Sequence, residues 1–223
     1  MNALTAHLPA LQVIVPMLMA PFVVLLRARS LPWAAATATS LLAFAIAIQL
    51  SMIVMGGSPV TYQMGSWAAP YGIELQVDAL SALVLLVITG ASSVTLIGGR
   101  ESLAAIISAD REPFFFAAWL LALAGMAGIV VSADAFNIFV FMEISSLASY
   151  VLVAGGPDRR ALPATFKYLV MGTIGATFYL IGVGLIYMMT GTLNLADMEL
   201  RLSLIHISEP TRPAPLSRMP SSA

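Results

Sequence analysis

The chain alternates between long apolar stretches and short polar segments. The apolar stretches cover residues 8–26, 33–55, 79–98, 113–131, 134–154 and 161–189. A helix of about 20 apolar residues crosses the hydrocarbon core of a bilayer, where no water can satisfy a looser backbone. The pattern therefore predicts an all-α integral membrane protein with about six transmembrane helices. Prolines at positions 9, 16 and 21 predict a kink in the first helix.

The segment between the second and third apolar stretches has a different period. Residues 60–64 are rich in strand-forming side chains, and apolar and polar residues alternate from Ile73 to Val77. A period of two is typical of a half-exposed strand. The pattern predicts a small hairpin within an external loop at residues 56–77, although an ordered loop without strands fits it equally well.

Composition agrees with a membrane protein and narrows the range of functions. Hydrophobic residues make up 60% of the 223 residues and charged residues 9%, and the formal net charge is −1. About a quarter of the residues in a soluble domain are charged, and nucleic-acid-binding domains carry a basic surplus. We therefore expect the lipid bilayer as a partner and no nucleic acid.

No motif of a self-contained enzyme occurs in the sequence. It has no cysteine, and it has no glycine-rich phosphate loop, HExxH helix, GxSxG elbow or histidine cluster. We therefore expect no cofactor, no metal site and no enzymatic activity in this chain. A role in transport or in membrane structure fits better.

The arginines fall on alternate loops, which predicts how the chain is oriented in the membrane. They follow the first, third and fifth apolar stretches and comprise Arg27, Arg29, Arg100, Arg111, Arg159 and Arg160. Short basic loops stay on the cytoplasmic side of a membrane. We therefore place these loops in the cytoplasm and the N-terminus outside the cell.

Glu143 lies near the middle of the fifth stretch, about 17 Å from its arginine-rich end at 1.5 Å per residue. A charge at the bilayer centre costs about 3 kcal/mol or more. We expect the carboxyl group to face the protein interior, where it pairs with a cation or takes up a proton. Either outcome makes it a proton site. The structural alternative is a neutral glutamic acid that hydrogen-bonds a neighbouring helix.

Lys167, about 10 Å inside the sixth stretch, is the expected partner of Glu143. A short turn joins the fifth and sixth helices, so the two side chains approach the same depth from opposite chain directions. A lysine beside a carboxylate stays charged, whereas a separated lysine in low dielectric loses its proton readily. The alternative is that the Lys167 side chain extends back to the headgroups.

Two further polar residues lie at the other end of the fifth stretch. Asp134 is either the mouth of a proton path or the N-cap of the helix. Asn137, one turn further in, either hydrates the path or bonds across helices. Both are therefore candidate proton-path residues.

The last segment, residues 202–223, differs from the rest of the chain. It is rich in proline, serine and arginine and has no helical period. Residues 202–212, LSLIHISEPTR, also resemble a translated adapter of sequencing libraries. We expect this tail to be non-native, with a disordered tail as the alternative.

Three segments together resemble a known family. They are SWAAPYGIELQVDALSAL, ADAFNIFVFMEISSLASYVLVAGG and ATFKYLVMGTIGATFYLIGVGLIYMMTGTLNLADM. They are similar to the antiporter-like membrane subunits shared by respiratory complex I (NADH:quinone oxidoreductase) and the multisubunit Mrp cation/proton antiporters, and most of all to the D-type Mrp subunits. The resemblance covers residues 1–200.

This resemblance implies a proton-translocating subunit of a Na⁺ or K⁺/proton antiporter in the cell (plasma) membrane, with other membrane subunits as partners. Glu143 and Lys167 would belong to its chain of buried charges. The family fold has roughly fourteen helices in two inverted repeats. Residues 1–131 would then form the N-terminal helices and residues 132–201 the start of the antiporter domain, and the second repeat would be missing.

Two other functions compete with this one. In complex I or a related membrane hydrogenase, the same module is a proton-pumping subunit that redox chemistry elsewhere drives. The alternative from another class is a non-transporting membrane scaffold whose polar residues only join helices. The scaffold hypothesis predicts that Glu143→Gln is harmless.

Overall fold

Six long helices make up most of the described part of the chain. The computed structural model describes residues 3–26, 30–57 and 59–207. Its long helices are α2 (Leu8–Leu25), α3 (Leu31–Met55), α4 (Ala79–Gly98), α6 (Glu112–Val131), α7 (Ala135–Ala154) and α8 (Ala161–Thr190). Each is long and apolar enough to cross a membrane, which confirms the predicted fold class. The shorter helices are α1 (Ala3–Ala6), α5 (Arg100–Ile106) and α9 (Leu195–Ile207).

Side chains next to the helix ends fix where two of the long helices begin. The Asp78 and Asp134 carboxylates cap α4 and α7 by accepting hydrogen bonds from Ser81 N at 2.7 Å and Asn137 N at 2.8 Å. Each bond satisfies one backbone N–H group that a helix leaves free. The Ser81 hydrogen bond also holds the pKa of Asp78 below its ordinary value. α2 runs through its two internal prolines, and the kink expected there stays a prediction.

α6 is the central helix of the bundle. It packs against α2, α3, α4 and α7, and it is the most deeply buried of the long helices. Two glycines let α7 approach it closely: a Cβ on Gly125 would lie 2.6 Å from Ser145 N, and a Cβ on Gly128 would collide with the Phe141 ring. α8 packs mainly against α7. Consequently α7 and α8 form the edge of the bundle and bury the smallest share of their surface.

A two-stranded sheet covers one end of the bundle, which we call the hairpin end. β1 (Val60–Gln63) pairs with β2 (Glu74–Val77) in antiparallel register, so this segment forms the hairpin rather than the alternative loop without strands. The Glu74 carbonyl accepts a hydrogen bond from Ala133 N at 3.0 Å, so the pairing continues into the α6–α7 connection. The hairpin contributes three side chains to the apolar core: Val60, Leu75 and Val77.

We call the opposite end of the bundle the arginine end, because the α4–α6 and α7–α8 connections there carry Arg100, Arg111, Arg159 and Arg160. Arg27 and Arg29 lie outside the described residues. Which end faces the cytoplasm stays a prediction. Of the tail at residues 202–223, the structure describes only the part up to Ile207, where α9 ends, and the rest lies outside the described residues.

Candidate functional site

Glu143 lies in the middle of α7, half-buried, on the side away from α6. α7 turns Phe141 and Ser145 toward the α6 glycines, and position 143 is about 200° round the helix from position 141. On the other side of α7, the Phe139 ring stacks on the Tyr179 ring of α8. Glu143 therefore borders the α7–α8 contact. It also borders an exposed apolar stripe of α7 formed by Phe136, Val140, Leu147 and Val151.

Lys167 lies on the exposed face of α8 that points away from α7. α8 turns Tyr168 and Gly172 toward Tyr150 of α7, and Lys167 is about 140° round the helix from Gly172. Its neighbours on that face are exposed apolar side chains: Met171, Ile174 and Phe178. The burial expected of Lys167 is not observed, because α8 lies at the edge of the bundle.

The ring contacts between α7 and α8 fix the register of the two helices. They are Tyr150 against Tyr168 and Phe139 against Tyr179. This register places Glu143 level with about Gly175, whereas Lys167 lies eight residues earlier, about 12 Å along α8. No hydrogen bond or ion pair joins Glu143 to Lys167 among the described residues. The structure therefore does not bring the expected pair together, because the two side chains differ in both level and direction.

Asp134 and Asn137 lie together at the hairpin end, where a cleft of about 500 Å³ opens between α7 and α8. Asp134 is 8% exposed and is the N-cap of α7. Asn137 donates from Nδ2 to Ser132 Oγ at 2.9 Å, so its side chain bonds to the α6–α7 connection. The rest of the lining comes from residues 70–73 and from Phe136, Val140, Tyr187, Gly191, Thr192 and Leu193.

A network of residues that the sequence analysis did not single out holds this cleft in place. Asn194 forms a β-bridge with Asp134 and donates from Nδ2 to Glu74 Oε2 at 3.2 Å. It also accepts a hydrogen bond from Asp197 N at 3.1 Å. The hydrogen bond from Arg201 to Asp197, 3.0 Å long, holds the pKa of Asp197 below its ordinary value. The sequence signal that could have indicated Asn194 is its position three residues before Asp197, because an asparagine followed by an acidic residue in the first turn is typical of a helix start.

The cleft extends along α7 toward Glu143. Val140 is the lining residue furthest into α7. Phe136, Val140 and Glu143 follow one another at a spacing of four and three residues and therefore share a face of the helix. The carboxylate thus lies about one turn beyond the end of a partly polar cleft. In the described part of the chain, no group of three histidine, aspartate or glutamate side chains is placed to hold a metal ion.

Comparison with known proteins shows that the candidate site residues lie in a segment that is similar to a known family of membrane proteins. The family model for the transmembrane part of NADH:quinone oxidoreductase and Mrp antiporters matches residues 132–211, which include Asp134, Asn137, Glu143 and Lys167. The chain is 40% identical to NADH-quinone oxidoreductase subunit N of Desulforudis audaxviator, over 89% of this chain and 40% of the relative. It is 32% identical to the D-type subunit of the Na(+)/H(+) antiporter of Bacillus subtilis, over 75% of this chain and 33% of the relative.

A solved structure shows the same arrangement of helices. The structure of the Mrp complex from Dietzia sp. DQ12-45-1b contains a chain that is 28% identical and superposes with a TM-score of 0.78, covering 92% of this chain and 40% of that one. The present chain therefore spans two fifths or less of the length of these three relatives.

Proposed function

Because this chain belongs to the family of membrane subunits shared by NADH:quinone oxidoreductase and Mrp antiporters, we propose that it carries protons in a multisubunit Na⁺ or K⁺/proton antiporter. In this proposal the protein is located in the cell (plasma) membrane. The chain itself is a transporter subunit, and the chemistry is proton transfer between side chains and water.

The observation that supports this proposal is the cleft that leads from the hairpin end to within one turn of Glu143. A charged glutamate at the bilayer centre costs about 3 kcal/mol or more, and ionisable residues at that depth mark proton and ion paths. Water in the cleft brings protons to the carboxylate from one side of the membrane. Asp134, which lines the cleft mouth, attracts cations to it.

Lys167 is the second proton site in this proposal. It lies nearer the arginine end than Glu143, with about 12 Å between them along the helix axis. Protons cannot cross that distance in one step, so water molecules or further polar side chains must connect the two sites. Both sites border exposed apolar surface of α7 and α8, which suits contact with other membrane-embedded helices.

The test is cation-driven proton transport by the full-length protein within its subunit assembly, measured in membrane vesicles. Glu143→Gln removes the titratable group and is expected to abolish transport. Glu199→Gln is the matched control, because Glu199 is exposed on α9, outside the long helices. Normal transport by the Glu143 variant would reject the proposal and leave the non-transporting scaffold.

A second candidate function rests on the relative from Desulforudis audaxviator, which is 40% identical and is an NADH-quinone oxidoreductase subunit. In that case the same proton sites serve a redox-driven pump of the complex I or membrane hydrogenase type. Proton transport measured in vesicles that contain the native assembly distinguishes the antiporter from the redox-driven pump. An antiporter moves protons when a Na⁺ or K⁺ gradient is imposed, whereas a pump moves them only while an electron donor is oxidised.

A further inference from the structure

A second cleft lies at the arginine end of the bundle, and its lining includes neither Glu143 nor Lys167. It has a volume of about 290 Å³ and opens where α3 and α6 begin and α4 ends. One side carries Arg100, and the other walls are mainly apolar, with Leu103, Ile107 and Phe116 among them. A cation next to apolar walls at the end of membrane helices is the environment that suits a lipid headgroup.

The Arg100 guanidinium is held in a defined position. Its central carbon lies 4.1 Å from the centroid of the Trp33 ring, a cation–π contact. The Trp33 ring is itself fixed, because its Nε1 donates a hydrogen bond of 2.8 Å to the Leu96 carbonyl. A guanidinium stacked in this way keeps its N–H donors directed outward in the plane of the group.

No carboxylate neutralises this guanidinium in the part of the chain that the structure describes. Within that part, Arg100 forms no ion pair, although Glu112 lies in the wall of the same cleft. Planar guanidinium groups bind phosphate oxygens through two parallel hydrogen bonds. The stacked arginine is therefore available to an anion from outside the chain.

The exposure of α5, the short helix that begins with Arg100, indicates the origin of that anion. None of its residues from Arg100 to Ile106 is buried, and Ile106 is 53% exposed. α5 follows directly after the membrane helix α4, so it lies at the level of the headgroups, where apolar side chains contact the upper parts of acyl chains. A soluble anion would gain nothing from these apolar walls, whereas a phospholipid would.

We infer that this cleft binds the phosphate group of an anionic membrane phospholipid, with Arg100 on the phosphate and the apolar walls on the first segments of its chains. Glu112 opposes the negative charge and weakens the binding. The site is separate from the proposed proton path, so its loss leaves Glu143 and Lys167 in place.

The experiment measures which lipids stay bound to the full-length protein in its assembly, purified in detergent and analysed by native mass spectrometry. Phosphatidylglycerol and phosphatidylcholine are supplied as the anionic and zwitterionic probes. Arg100→Gln should weaken phosphatidylglycerol binding by about tenfold, as expected for the loss of charge-assisted hydrogen bonds. Glu112→Gln, which leaves Arg100 in place, should strengthen it. Arg159→Gln is the control, because Arg159 is exposed at the same end of the bundle.

Three results would overturn the inference. The first is equal retention of the two lipids by the unaltered protein. The second is unchanged phosphatidylglycerol binding in both the Arg100 and the Glu112 variants. The third is displacement of the lipid by millimolar inorganic phosphate, which would identify the cleft as a site for soluble anions.

Discussion

The Asn194 side-chain amide donates a hydrogen bond of 3.2 Å to the Glu74 carboxylate, although the two residues lie 120 positions apart in the chain. Through this bond the hairpin that follows α3 is tied to the turn that follows α8. Asp134 pairs with the same asparagine in a β-bridge. The mouth of the candidate proton path is therefore built from three separate connections at one end of the bundle.

This arrangement predicts a cooperative loss of stability when the asparagine is removed. Asn194→Ala deletes the Glu74 hydrogen bond and the cap of α9, and it should lower the free energy of unfolding by about 1–3 kcal/mol. Thermal unfolding in detergent provides the measurement. The double variant with Asn194→Ala and Glu74→Ala should show a coupling energy of about 1 kcal/mol between the two residues. Strictly additive effects on the free energy of unfolding would contradict the hydrogen bond.

The proposed attraction of cations by Asp134 can be tested separately from its role as a helix cap. Asparagine caps helices as well as aspartate does, so Asp134→Asn should leave the stability within about 0.5 kcal/mol of the unaltered protein. If the negative charge attracts cations to the cleft, the same change should slow transport by about tenfold. Asp78→Asn, at the equivalent cap of α4, is the control. Equal transport by the Asp134→Asn and Asp78→Asn variants would show that Asp134 acts only as a helix cap.

The close contact between α6 and α7 depends on a glycine. An added methyl group at Gly128 would collide with the Phe141 ring, so Gly128→Ala should destabilise the protein by about 1–3 kcal/mol. Gly175→Ala is the matched control, since no atom of the described residues, apart from the local backbone of α8, lies within 4 Å of the corresponding position. Denaturation of the two variants under the same conditions gives the comparison. A similar midpoint for both would show that α6 and α7 pack less closely than described.

The orientation in the membrane can be tested directly because the chain has no cysteine. Single cysteines at the exposed positions Thr61 and Arg159 report on the hairpin end and the arginine end. A membrane-impermeant thiol reagent added to intact cells should label position 61 and leave position 159 unlabelled. The opposite result would reverse the predicted topology.

The membrane helices could be predicted from the sequence because apolar length alone decides whether a segment crosses a bilayer. The caps at Asp78 and Asp134 were also predictable, since they depend on residues a few positions away. The alternation at residues 73–77 indicated a hairpin, although it fitted an ordered loop equally well. In each case the information is local, and no knowledge of the neighbouring helices is required.

The relation between Glu143 and Lys167 could not be predicted in this way. Distances counted from the ends of two helices do not give their register, which depends here on the contact of Tyr150 with Tyr168. The direction of each side chain depends on which faces the helices bury against each other. For the same reason, the part played by Asn194 was missed: its partner Glu74 is distant in sequence and close only in the folded chain.

Val140 is the residue of the cleft lining that lies furthest along α7, about one turn before Glu143. A narrow apolar constriction passes water only when it becomes wet, and its wetting depends steeply on the size and polarity of the side chains around it. In the proposed proton path, the size and polarity of the side chain at position 140 would then set how often the half-buried carboxyl group of Glu143 exchanges with solvent. The rate of proton exchange would thus depend partly on a side chain that carries no charge and never binds a proton.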